Sequence, residues 1–389
     1  VARQKNQVFP CTGRLVRRPR FLYSTIKMGK MPSMPHGTAR NPRRRWTKNS
    51  KTQIIAVLFA VYSVFGWTAA GARAAESAVV FMYHRFAEPA YPATNISVEQ
   101  FEVHLGELGR GGYTVLAVPE ILDAIDRGTE LPDRTVGLTI DDAYLSVYTE
   151  AWPRLREAGY PFTLFVATNG VDGGYAGQMT WDQIREMAAA GVTIGAHTAS
   201  HLHMARNDRV RNAEALALSN ARFEAELGQQ PTIFAYPYGE ASLEIQGLVR
   251  DAGYVAAFGQ HSGVLNRLGD IFYLPRFALN EKYGELARFR LAANALPLPV
   301  NDITPADPLV AQDNPPAIGF SVTAGVTGLD RLACYASHEG KVKMERLGDT
   351  RVEIRLKTPL PEGRSRLNCT LPTNSGRWRW FGRQFYVAP

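Results

Sequence analysis

The chain has 389 residues, enough for one large domain and a smaller one. Its formal charge of +8 comes from residues 1–75, which carry 15 of the 44 Lys and Arg and no acid, leaving 29 basic residues against 36 acidic ones elsewhere. A folded part with a net charge of −7 excludes nucleic-acid binding driven by overall charge.

In the basic N-terminal stretch, Arg43-Arg44-Arg45-Trp46-Thr47-Lys48 precedes an apolar run from Ile54 to Trp67, followed by Ala72-Arg73-Ala74. This is the order of an export signal, with cleavage expected after Ala74. The apolar run is short for a membrane span, so membrane attachment is expected only through an uncleaved signal, if at all. Met28, Met31 and Met34 are candidate true starts. Residues 1–75 are therefore read as an extension, and the mature protein as periplasmic or extracellular.

From Ala78 strands alternate with helices. Val79-Val80-Phe81-Met82-Tyr83 is a short apolar strand ending at His84, and Ser97 with Gln100 forms a capping box for the next helix. His104 within that helix reads as a surface or hydrogen-bonded residue. Thr114–Val118 is a second strand. The third, Thr135-Val136-Gly137-Leu138-Thr139-Ile140, ends in the adjacent acids Asp141 and Asp142. Side chains alternate across a strand, so two neighbouring carboxylates can take different roles. Pro161–Ala167 is the fourth strand, and Thr180 caps the following helix. Val192–Ala196 is the fifth and delivers His197, with His201 four residues on. Thr232–Tyr236, Tyr254–Phe258 and Ile271–Leu279 complete the set.

Alternation of this kind implies a parallel sheet covered on both faces, here a distorted (β/α) barrel of seven or eight units over residues 76–296. Chemistry then belongs at the C-terminal strand ends. His84, Asp141, Asp142, His197, Tyr236 and Tyr238 all fall at or just after such ends. Residues 297–317, rich in Pro and Asp, read as a linker. Residues 318–389 read as a small β-sandwich-like domain. Cys334 and Cys369 are expected to pair as a disulfide in an exported protein, with two buried free thiols as the alternative.

Two histidines four apart with an Asp form a two-nitrogen, one-oxygen set that leaves coordination positions open, as a catalytic metal needs. Zinc is the default, and Co²⁺, Ni²⁺ or Fe²⁺ suits the same donors. At this point the chain resembles the polysaccharide deacetylases of the NodB-homology type, carbohydrate esterase family 4. Thr139-Ile140-Asp141-Asp142-Ala143 is similar to that family's T-F-D-D-G motif. His197-Thr198-Ala199-Ser200-His201 matches H-[ST]-x-x-H, and Ala235-Tyr236-Pro237-Tyr238-Gly239 partly matches R-x-P-Y.

The resemblance implies a metal-dependent hydrolase that removes N-acetyl groups from a glycan. It assigns Asp142, His197 and His201 to the metal and Asp141 to the catalytic base, with a backbone N–H near Tyr238 at the oxyanion. The family's third-motif Arg, which orients the base, is Ala235 here. Arg276 is the candidate substitute, and an ordinary structural ion pair is its alternative. The family's late Leu-x-x-His motif, source of the general acid, is not found. His84 and His261 are the candidate proton donors, each with a structural role as its alternative. Tyr144, Tyr236, Tyr238, Tyr175 and Trp181 are candidates for contact with sugar; Trp378-Arg379-Trp380-Phe381 reads as packing of the small domain, with sugar docking as its alternative. The competing functions are a catalytically impaired carbohydrate-binding or assembly protein on the same scaffold, and an O-acetyl glycan esterase.

Overall fold

A computed structural model describes residues 74–311 and 313–389. The expected export signal lies outside the described residues, apart from Ala74–Ala75, which pairs antiparallel with Leu131–Pro132. No helix among the described residues is long and apolar enough to cross a membrane.

The architecture is α/β. A curled sheet runs from Ala256–Phe258 through Ile233–Ala235, Thr193–Ala196, Thr163–Val166 and Thr135–Asp141 to Ser77–Tyr83, with every one of these neighbours parallel. The expected second strand survives only as Thr114–Val115, and the next helix starts at Val118 with Pro119 in its first turn, where the missing N–H costs nothing. The two sheet edges are joined by one late segment. Leu274 bridges to Phe258, and three residues on Phe277–Ala278 pairs in parallel with Phe81 and Met82. The expected last strand is thus a short seam with Arg276 at its middle.

Strands Thr135–Asp141 and Thr163–Val166 are buried at every position. Both faces of the sheet are covered, which explains why these strands read as continuous apolar runs without polar alternation. Ser97 and Gln100 do form the expected capping box, as do Thr180 and Gln183.

The β-rich C-terminal part has a core of its own, with Phe320, Cys334, Val352, Ile354, Leu367 and Cys369 at its centre. Its longest ladder pairs Gly363–Pro372 with Trp378–Val387. Cys334 and Cys369 are direct partners on adjacent antiparallel strands and form the expected disulfide, with Cα atoms 4.0 Å apart. Residues 297–317 are more ordered than their composition implies. Val300–Thr304 pairs with Ile318–Val322, and Leu309–Val310 runs beside the end of Trp378–Val387. Their prolines flank these strands, and Val300 and Val310 bury their side chains.

This part is tied to the barrel's rim loops. Gln384 Nε2 donates to the carbonyls of Tyr238 (3.1 Å) and Gly239 (2.8 Å), and Arg366 Nε donates to that of Gln260 (3.3 Å). Gly382 lies so close to Ser262 that a Cβ there would collide with the Ser262 carbonyl oxygen.

Candidate active site

The strand carrying the two acids ends in a sharp change of backbone hand. Asp142 has φ 78° and Ala143 φ 50°, both in the left-handed region that costs a residue with a Cβ roughly 1–2 kcal/mol. Ala143 stands where the resembling motif has Gly, the residue that adopts this conformation freely. Thr198 (φ 64°), His201 (φ 51°) and Tyr238 (φ 60°) share the conformation. Five of the eight left-handed non-glycine residues among the described residues therefore gather at one rim. Such strain persists where the surroundings over-determine the backbone, and it collects at functional sites.

The turn separates the two carboxylates. Asp141 points into the barrel and is fully buried; Asp142 points to the rim. Arg276, also fully buried, meets Asp141 with both arms of its guanidinium, Nη1 to Oδ1 at 2.6 Å and Nη2 to Oδ2 at 2.9 Å. Nη1 also donates to Thr139 Oγ1 and Nε to the Gly259 carbonyl, both at 3.0 Å. Two charges taken out of water cost several kcal/mol each. This fork, with its remaining donors satisfied, is the geometry that offsets such a cost. Burial by itself would raise the Asp141 pKa, but Arg276, His197 and His84 outweigh it and hold the group below the usual carboxylate value.

On the rim side, Asp142 Oδ1 lies 3.2 Å from His201 Nε2 and 3.4 Å from His197 Nε2, and one ligand atom from each residue falls within 4.8 Å of the others. Yet Asp142 Oδ1 and His197 Nε2 are buried without a hydrogen-bond partner. Buried polar atoms are seldom left unsatisfied, so two converging on one point fit a cation between them. The tautomer agrees. His197 Nδ1–H donates to the Ala235 carbonyl at 2.6 Å, turning the Nε2 lone pair towards Asp142, as a metal-binding imidazole requires.

His84, Asp142, Tyr144, His201 and Tyr238 line one cavity of about 680 Å³. His84 Nε2 sits 3.9 Å from Asp141 Oδ2. Burial lowers the His84 pKa, opposed by Asp141 and Asp142. Tyr144 lies under the Arg85 guanidinium, 3.4 Å from its ring centre, and burial with the nearby Asp142 pushes its hydroxyl up to about 12. Tyr238 stacks flat on His203 at 3.8 Å and meets His201 edge-on at 4.5 Å.

Two expected residues are elsewhere. His261 turns its ring into a separate cavity of about 80 Å³, against Tyr273, where burial followed by Arg383 lowers its pKa to about 3. Tyr236 is fully buried and donates its hydroxyl to the Phe272 carbonyl at 2.8 Å. It follows directly on the strand Ile233–Ala235 with extended backbone, and the left-handed turn at Tyr238 is what swings the next aromatic to the rim. Of the other aromatics, Trp181 donates Nε1–H to Asp172 and packs edge-on against Phe223, and Tyr175 is exposed. His104 is buried and hydrogen-bonded at both ring nitrogens, to Tyr83 Oη and the Gly284 carbonyl.

Residues not anticipated also line the main cavity. They include Asn280 and Arg288 from the last barrel segment, and Arg364, Arg366, Asn368 and Trp380 from the β-rich part. Of these, Trp380 alone carries a sequence expectation, that of packing. It does pack, edge-on against Phe277 at 5.1 Å, and it borders the cavity as well.

A family model described as polysaccharide deacetylase matches residues 128–257, which span the acid pair, the histidine pair and Tyr238. Over that stretch the chain is similar to the polysaccharide deacetylase family. Among its curated relatives is a Bacillus subtilis (strain 168) protein, YxkH, whose name assigns it provisionally to the polysaccharide deacetylases. The match is 26% identical over 197 residues and covers 51% of this chain and 69% of that protein. A second is the poly-beta-1,6-N-acetyl-D-glucosamine N-deacetylase of Escherichia coli (strain K12), 28% identical over 201 residues. That match covers 41% of this chain and 30% of the relative's length. Among solved structures, the Streptococcus pyogenes deacetylase PplD in complex with acetate superposes with a TM-score of 0.50 at 22% identity, covering 53% of this chain and 94% of that one. At that identity the likeness speaks for the fold alone.

Proposed function

We propose that this protein is an exported, metal-dependent hydrolase that removes N-acetyl groups from an N-acetylated glycan. The observation that carries the reading is the pairing of an orphaned Asp142–His197–His201 cluster with a second carboxylate, Asp141, clamped by Arg276. Zinc suits two imidazoles and a carboxylate best, and Co²⁺, Ni²⁺ or Fe²⁺ fits the same donors. A divalent ion held there supplies Lewis acidity toward the amide carbonyl and acidifies water.

The remaining work falls to the chain. Asp141, kept ionised by Arg276, accepts the proton of the attacking water as its oxygen bonds to the acetyl carbon. His84, in the same cavity, gives a proton to the departing nitrogen as the C–N bond breaks, leaving acetate and a free amine. His84 is preferred to His261 for this step because His261 faces the other cavity. Tyr144 and Tyr238 border the bound sugar, and the backbone at Tyr238 faces the developing oxyanion.

The test is acetate release from N-acetylglucosamine oligomers, abolished by a chelator and restored by Zn²⁺ or Co²⁺. Asp141→Asn should still bind the metal and lose turnover roughly 10²-fold or more. Asp142→Asn should weaken metal binding itself, read by equilibrium dialysis. Equal metal affinity in both variants would sink the division of labour. An O-acetyl esterase stays as the second outcome of the same assay, with ester-linked acetyl glycans as substrate. The impaired-protein reading rested partly on the missing third-motif Arg, and the Arg276 fork on Asp141 supports an active enzyme instead.

A further inference from the structure

The cavity that holds Asp142 and His201 has an unbalanced wall. Arg288, Arg364 and Arg366 border it, and Asp142 is the lone Asp or Glu among its lining residues. Asp142 faces the two histidines, and Asp141 beneath it is committed to Arg276. Arg364 has a distant partner, with Nε 3.9 Å from Glu240 Oε1. Neither Arg288 nor Arg366 has a carboxylate within the 4.0 Å of an ion pair among the described residues. Both are partly buried, and burial disfavours their charge. A guanidinium nevertheless stays protonated in proteins. A charge held partly out of water without a counter-ion is costly, and the cost is removed when a ligand supplies the anion.

Both groups are held in place. Arg366 Nε donates to the Gln260 carbonyl at 3.3 Å, and the Arg288 guanidinium lies over the Tyr283 ring at 4.7 Å. Beside them the Trp380 indole is anchored by Nε1–H to Asn368 Oδ1 at 3.0 Å, which leaves a flat apolar surface next to the charges. Arg366, Asn368 and Trp380 all come from the β-rich C-terminal part, so that part builds one wall of the catalytic cavity.

We propose that the cavity takes a glycan carrying an anionic substituent, such as a carboxylate, next to the N-acetylated sugar, with Arg288 and Arg366 as the residues that select it and Trp380 as the surface on which its sugar rests. This rests on the deacetylase reading and adds the substrate class. Guanidinium forks match carboxylate geometry and stack poorly hydrated on flat rings. The reaction's other product sharpens the preference. Each acetyl removed leaves a primary ammonium, which a wall of arginines repels unless the neighbouring sugar brings a compensating negative charge.

The experiment compares two probes on the zinc-loaded full chain: an oligosaccharide alternating N-acetylhexosamine with uronic acid, and a neutral N-acetylglucosamine oligomer of equal length. The expected kcat/KM is about tenfold or more in favour of the uronate-bearing probe at low ionic strength, with the ratio narrowing as salt is added. Arg288→Gln and Arg366→Gln should each reduce that ratio. The ratio is read within each variant, so a smaller folded fraction cancels. Equal or better turnover of the neutral probe overturns the proposal, as does an unchanged ratio in both variants. If neither probe releases acetate, the deacetylase reading fails by itself. Calorimetric Kd values then decide: tighter binding of the uronate probe, weakened by either substitution, upholds the anionic subsite, and equal Kd values overturn it.

Discussion

The Asp141–Arg276 ion pair links a buried charge directly to the proposed chemistry. The Asp141 pKa is depressed in the folded state, so its ion pair stabilises the fold above the unfolded carboxylate's pKa. That stabilisation is lost as pH falls through the lower folded value. Removing Arg276 takes away the largest effect that opposes burial, leaving only His197 and His84 against it, so the pKa rises. Arg276→Ala should therefore move the acid limb of kcat/KM to higher pH and destabilise the fold by about 3–5 kcal/mol, since it strands a buried carboxylate. An acid limb that stays in place would reduce Arg276 to a structural ion pair. The two histidine candidates separate by the same kind of measurement. His84→Gln should abolish the alkaline limb of the profile and lower kcat roughly 10²-fold; His261→Gln should keep that limb.

These residues differ in how far the sequence alone could place them. The acids and the histidine pair are short strings at the ends of apolar runs, and a parallel α/β chain brings such ends to one rim. Arg276 was placed by role, as the charge a missing Arg would need, and the barrel seam puts it against Asp141. Tyr236 and Tyr238 look interchangeable in sequence, and only the left-handed backbone at Tyr238 separates core from rim. Arg288 and Arg366 carried no local signal at all. Their meaning depends on what fails to stand opposite them, which is a tertiary fact.

At the scale of elements, the strand Trp378–Val387 and the loop Gly259–Gly263 share the closest backbone approach described above. Gln260 and Ser262 of that loop line the catalytic cavity, and Gly259 supplies the carbonyl that accepts from Arg276. Gly382→Ala inserts a methyl group where the Ser262 carbonyl lies, so strand and loop must part. The expected result is a loss of about 1–3 kcal/mol in urea denaturation. A fall in kcat/KM should accompany it, although position 382 contributes no side chain to the chemistry. Unchanged activity with lowered stability would show that the loop is held by the barrel alone. Residues 297–317 carry a related lesson. Their prolines and aspartates resemble a flexible connector, but Val300, Leu309 and Val310 place them in the sheets. Short strands of this kind are set by partners distant in sequence, and no periodicity announces them.

For the whole molecule, the Cys334–Cys369 disulfide closes a separation of 35 residues inside the part that walls the cavity. In the chain-entropy model such a closure is worth about 3–4 kcal/mol, a large share of an ordinary domain's stability. Reduction should therefore lower the melting temperature and, because that wall adjoins the site, lower the turnover of anionic glycans more than of neutral ones. Cys334→Ser with Cys369→Ser should reproduce both effects under oxidising conditions. Equal loss on both substrates would confine the disulfide to a purely stabilising role.

The seam from Leu274 to Phe277 joins the first and last large strands of the barrel, and it carries the counter-ion of Asp141, 135 residues away in sequence. Contacts of such separation form late, because loop-closure entropy must be overcome before they are rewarded. A refolding chain can thus gather its acids and histidines early and still be chemically silent. The ability to cut an amide arrives with the last stitch of the cylinder, so the onset of hydrolysis during refolding serves as a clock for its completion.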